Sequence, residues 1–141
     1  MSVDIGFTHV ALPVTDLDAC VRFYAKYANL VVVHRRCRSD SDAPHEVAWL
    51  SDRTRAFALV LVEVDTVDRP LGPFAHLGVA CPSRAELDRR CADAEREGCL
   101  RHPLSGGDGP AGYRAMLADP DGHTLELSYG QEVAAAVAGV E

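Results

Sequence analysis

Apolar and other residues alternate over positions 7–12, and the same pattern returns 67 residues later over 74–79. Phe7-Thr8-His9-Val10-Ala11-Leu12 and Phe74-Ala75-His76-Leu77-Gly78-Val79 read as two copies of one short strand. A helix-start signal follows each copy: Thr15-x-x-Asp18 in the first, and the fuller capping box Ser83-x-x-Glu86 in the second. The helices run to about Asn29 and Gly98, two residue types that end helices readily. Three strand-like segments follow each helix. They are 30–35, 46–50 and 56–64 in the first half, and 99–104, 113–117 and 123–129 in the second. Asp119-Pro120-Asp121-Gly122 is a strong hairpin signal, and Ser51-Asp52-Arg53-Thr54 is its weaker counterpart.

Both halves therefore predict β-α-β-β-β. The expected fold class is α+β, built of two such modules, one over about 5–66 and one over about 72–130. A tail at 131–141 forms a short helix or frays. The join, 65–73, holds two prolines and a glycine. Two polar loops, 38–44 and 105–112, stand out. The second is glycine-rich but lacks the Gly-Lys-Ser/Thr of a phosphate loop.

Composition narrows the classes. A length of 141 residues fits one domain, and 48% apolar with 25% charged residues is ordinary for a globular chain. A net charge of −7 speaks against nucleic acid as a partner, since phosphate-backbone binding needs a basic face. The longest apolar run, 56–62, is far short of a membrane span, and the first residues lack the basic-then-apolar pattern of a secretory signal. Five cysteines without a C-x-x-C pair fit reduced thiols and a cytoplasmic location.

Strand parity points to chemistry. In the last strand Leu125 and Leu127 face one way, and Thr124, Glu126 and Ser128 the other. A mid-strand carboxylate is costly to bury unless it is paired or ligates a metal. His9 and His76 hold matched positions in the repeat. A lone strand histidine is usually a plain core or surface residue. Two at equivalent positions, with one mid-strand glutamate, form a set suited to a divalent first-row metal with open positions.

The segments 7–12 and 74–79, Phe23-Tyr24 on the first helix, and Asp119-Pro120-Asp121-Gly122-His123-Thr124-Leu125-Glu126 resemble the vicinal oxygen chelate superfamily. That group holds glyoxalase I, type I extradiol dioxygenases, methylmalonyl-CoA epimerase, fosfomycin-resistance transferases and bleomycin-resistance proteins. The resemblance spans about 5–130. It implies paired βαβββ modules forming a cupped mixed sheet around a metal cavity. It also implies His9, His76 and Glu126 as ligands of Fe, Mn, Ni, Zn or Co, and a homodimer.

Departures from the members' patterns shape the functional reading. The 67-residue offset maps Glu126 onto Leu59, where glyoxalase I resembles a fourth, acidic or amide ligand. Met116 and the 108–110 stretch stand where extradiol enzymes carry their acid/base groups. Ala11 and Glu132 stand where fosfomycin transferases carry a hydroxyl and a basic residue. Parity gives a pocket lining of Phe7, Val47, Trp49, Phe57, Leu59, Leu61, Arg114 and Met116, of which Trp49, Phe57, Leu59, Arg114 and Met116 are the substrate-binding candidates. Of the other histidines, His34, His45, His102 and His123 are expected at the surface, with His45 and His102 also candidate bases. Three functions follow. The first is a divalent-metal-dependent, glyoxalase-like lyase or isomerase acting on a small substrate with vicinal oxygens. The second is an Fe(II) extradiol-type dioxygenase. The third is a small-molecule-binding resistance protein without turnover.

Overall fold

A computed structural model describes residues 2–39 and 42–140. The chain divides into two compact units, Met1–Pro70 and Leu71–Glu141. The first holds β1 (His9–Val14), α1 (Leu17–Ala28), β2 (Val31–Cys37), β3 (Glu46–Ser51) and β4 (Ala58–Glu63). The second holds β5 (Leu77–Ala80), α2 (Arg84–Arg96), β6 (Leu100–Gly106), β7 (Tyr113–Ala118), β8 (Thr124–Tyr129) and α3 (Val133–Ala138). The sheet orders are β1-β4-β3-β2 and β5-β8-β7-β6. In each, the first strand pairs in parallel with the last, and the remaining pairs are antiparallel. The α+β, two-module architecture expected from the repeat is present.

Each sheet is apolar toward its helix. In the first unit Leu12, Val14, Leu50, Leu59 and Leu61 are buried on that face, together with Leu17, Tyr24 and Tyr27 of α1. In the second it is Ala115, Leu117, Leu125 and Leu127, with Leu87, Cys91 and Ala94 of α2. Burying one such leucine contributes about 1.5–3 kcal/mol. Arg90 is also buried on α2, where its Nε donates to Glu86 Oε1 at 2.9 Å. Among the described residues no helix is long and apolar enough to cross a membrane.

Several boundaries differ from the sequence reading, each for a local reason. The first helix is capped by Asp16 rather than Thr15: Asp16 Oδ1 accepts the Ala19 N–H at 3.0 Å. Ser83 caps the second as expected, accepting from Glu86 N–H at 3.1 Å. Asn29 closes α1 in the left-handed conformation at φ 56°, and Gly98 adopts φ 75° after α2. The first strand of each unit starts later than its alternation suggested. Phe7 and Phe74 remain 93% and 94% exposed ahead of the ladders. Of the loop at 38–44, Asp40 and Ser41 lie outside the described residues, and its base is closed by Arg38 N–H donating to the His45 carbonyl at 2.8 Å.

His123 is not at the surface. It is 1% exposed, and its Nδ1 accepts the Leu71 N–H at 2.8 Å. The Asp119 carboxylate shapes the hairpin before it, with Oδ1 accepting from both Asp121 N–H and His123 N–H at 2.9 Å.

Candidate functional site

The parallel register aligns Gly78 with Glu126, so His76, two residues before Gly78, shares Glu126's face. On that face His76 Nε2 stands 2.7 Å from Glu126 Oε2. His76 Nδ1–H donates to the Phe74 carbonyl at 2.7 Å, which fixes the ring plane and aims Nε2 at the carboxylate. Glu126 is 6% exposed, and its other oxygen, Oε1, accepts from Gln131 Nε2 at 2.8 Å. Both carboxylate oxygens are therefore committed, one to the imidazole and one to an amide.

This pair fits a divalent cation. With Nδ1 donating to a carbonyl, Nε2 is the nitrogen that can carry a metal, and an anionic oxygen lies beside it. Two ligands bound at typical N and O distances on neighbouring positions stand roughly 3 Å apart, close to the spacing seen here. A carbonyl-anchored imidazole and a buried, amide-anchored carboxylate are the outer-shell arrangements that orient metal ligands. Among the described residues no three His, Cys, Asp or Glu side chains form a metal-binding cluster.

Three further residues stand on the same face. Met116 is directly opposite Glu126, and Arg114 is opposite Ser128. His102 is opposite Met116 on the other side of β7. His102, Pro103, Ser105, Arg114 and Met116 line a groove of about 170 Å³. The Arg114 side chain is half-buried and forms no ion pair or hydrogen bond among the described residues.

His9 belongs to the first unit. It is exposed, and its Nδ1 lies 2.8 Å from Thr8 Oγ1. The register of that unit corrects two residues of the expected lining, Leu59 and Leu61. Ala11, the repeat partner of Gly78, pairs with Val60, and Val60 pairs with Trp49. Glu126 therefore corresponds to Val60, and Leu59 stands on the helix-covered face at 6% exposure. Leu61, 0% exposed, is there too. The cause is a one-residue difference in repeat length between the first and last strands, which inverts the assigned face. The first-unit counterpart of Glu126 is thus apolar in either register. Trp49, 39% exposed, does stand on the His9 face, with its ring centroid 4.6 Å from that of His34. Phe57 lies just ahead of β4 and is half-buried. His45 Nε2 is paired with Asp65 Oδ1 at 3.0 Å.

Sequence reasoning missed Gln131. It sits beyond the strand, after Gly130 at φ 84°, and no spacing rule links it to Glu126.

Comparison with known proteins places these residues in context. Residues 6–127 match the family described as the Glyoxalase/Bleomycin resistance protein/Dioxygenase superfamily. An uncharacterized protein of Pseudomonas aeruginosa is 34% identical over 127 residues, covering 88% of each chain. Among solved structures, a possible glyoxalase from Bacillus cereus aligns with a TM-score of 0.64 at 22% identity, over 89% of this chain and 99% of that one. The fosfomycin resistance protein FosX of Mesorhizobium loti aligns at 0.69 and 15% identity, over 96% and 99%. A variant of the Listeria monocytogenes FosX, solved with Mn(II) and 1S,2S-dihydroxypropylphosphonic acid, gives the same values. At such identities these structures share the fold.

Proposed function

Because the chain belongs to the Glyoxalase/Bleomycin resistance protein/Dioxygenase superfamily, we propose that it is a divalent-metal-dependent enzyme of lyase or isomerase type. Its substrate is a small molecule that presents two vicinal oxygens to the metal. The observation that carries this reading is the His76–Glu126 pair, 2.7 Å apart, each member oriented by a further hydrogen bond. The family resemblance implies His9, the repeat partner of His76, as a third ligand. The metal is one of Fe, Mn, Ni, Zn or Co. Bound there, a divalent ion supplies Lewis-acid neutralisation of charge developing on the substrate oxygens.

The chain's own residues do the rest. His76 and Glu126 would hold the ion. Met116 covers Glu126 from the neighbouring strand with an apolar wall. Arg114, uncommitted and half-buried, binds a carbonyl or anionic group of the substrate. His102, across β7 from Glu126, moves the proton. His45 is less suited to that role because it is engaged by Asp65. Trp49 offers an aromatic surface on the His9 face. The reading includes a homodimer, which light scattering tests, and a cytoplasmic location.

The test is metal content by mass spectrometry on untagged protein beside Glu126→Ala. Near-stoichiometric metal that disappears in the variant supports the reading. Iron together with Fe(II)-dependent oxygen uptake moves it to a dioxygenase. No metal after anaerobic reconstitution with each ion overturns it in favour of a binding protein.

A further inference from the structure

The glycine-rich loop between β6 and β7 has no place in the chemistry above. Its far end, however, touches the backbone that carries Gln131. Gly112 adopts φ 61°, and a Cβ there would meet the Tyr129 carbonyl oxygen at 2.4 Å and the Gln131 nitrogen at 2.8 Å. Only a residue without a side chain lets the loop approach so closely. One residue on, Glu132 N–H donates to the Pro110 carbonyl at 3.3 Å. The loop closes on itself as well, through Gly112 N–H to the Gly109 carbonyl at 2.9 Å. The segment 130–132 therefore leaves β8 through a glycine at φ 84° and is seated against the loop. From that seat Gln131 Nε2 reaches Glu126 Oε1 at 2.8 Å.

We propose that Gln131 is a positioning residue for Glu126, and that the 105–112 loop is the buttress that seats it. The inference rests on Glu126 being a metal ligand. Its content is a division of labour between the two carboxylate oxygens. Gln131 occupies Oε1, so Glu126 offers Oε2 alone to the ion. That keeps the carboxylate from binding through both oxygens, and so preserves adjacent positions for a two-oxygen substrate. Outer-shell partners of this kind typically change metal affinity by about 10–100-fold.

Metal dissociation constants are measured by chelator competition, using Co(II) alone as the probe so that its visible spectrum reports the ligand geometry. Four proteins are compared with wild type: Gln131→Met, Gly112→Ala, the double variant, and Gly109→Ala. Gly109 has open space where a Cβ would go and serves as the control. Gln131→Met is expected to weaken binding by about 10–100-fold and to alter the Co(II) spectrum, with the metal-free melting temperature unchanged. Gly112→Ala is expected to do the same to affinity, and the double variant is expected to be no worse than the weaker single one, because both act through one contact. Gly109→Ala is expected to bind as wild type. If wild type binds Co(II) and Glu126→Ala does not, yet Gln131→Met binds within twofold of wild type with an unchanged spectrum, the inference is overturned and the metal site stands. Additive losses in the double variant overturn the buttress and leave Gln131 in place. A wild type without Co(II) affinity overturns the metal reading and this inference together.

Discussion

The two units share a strand order, a helix placement and a register, yet the sheet faces turned away from the helices are chemically opposite. Where the second unit carries Glu126, opposite Met116 and then His102, the first carries Val60, opposite Trp49 and then His34. Arg114 and Ser128 are matched by Val47 and Val62. The faces toward the helices are instead alike, Leu59 and Leu61 answering Leu125 and Leu127. Duplication has kept what holds the fold and diversified what faces away from it. Among the described residues, the histidines at 9 and 76, and those at 34 and 102, remain in common on the chemical face.

That contrast can be broken most sharply at its centre. Glu126→Ala is expected to weaken metal binding by more than about 100-fold, since a ligand goes and not merely its support. Val60→Ala, at the same register, is expected to leave affinity within twofold. Equal losses in a chelator-competition titration would show that the two faces are not specialised. Next come the shared faces. Leu61→Ala and Leu127→Ala, both at fully buried positions, are each expected to cost about 2–5 kcal/mol in urea unfolding. A much smaller loss at one of them would show that one unit is the weaker copy.

The helix caps sharpen the comparison at a finer scale. Asp16→Ala and Ser83→Ala each remove an acceptor for one first-turn N–H and are expected to cost about 1 kcal/mol. The smallest effect separates the helices. Arg89 and Arg90 hold the Glu86 carboxyl down to about 2, from an ordinary 4.5, through direct hydrogen bonds. A carboxyl held low in the folded state stabilises above its unfolded value and loses that contribution as pH falls through its folded value. The difference in unfolding midpoint between wild type and Glu86→Gln is therefore expected near pH 6 and should vanish by about pH 2. Ala19 stands at the matching position of α1, so no such acid sensitivity is expected of that helix.

Most of this architecture was legible in the sequence because it rests on short-range rules. The repeated strand motif, the Ser83 cap and the Asp119 hairpin each depend on a few neighbouring residues. His76 and Glu126 were each singled out by strand position, but their 2.7 Å contact follows from the parallel register of β5 and β8, which parity within one strand does not give. Register across the first unit was not legible either. The repeat runs 67 residues at the first strand and 66 at the last, and that single residue swaps the faces assigned to Val60 and Leu59. Gln131 was hidden for a different reason: its role depends on a turn and a loop contact that no periodicity encodes. His123 was misplaced because a polar residue in a hairpin reads as exposed. Its ring is in fact the acceptor for a backbone N–H 52 residues away.

That last contact bears on how the chain can be cut. Leu71 N–H donates to His123, and the Leu71 carbonyl accepts from Thr124 N–H at 2.8 Å, so the strip entering the second unit is clasped by that unit's own final hairpin. Gly72 lies so close that a Cβ would overlap the Thr124 hydroxyl. A protease or a circular permutation should therefore find its opening ahead of Leu71, in the 65–70 stretch. A graft that exchanges the first module for a foreign one has to bring Leu71 and Gly72 along with the second.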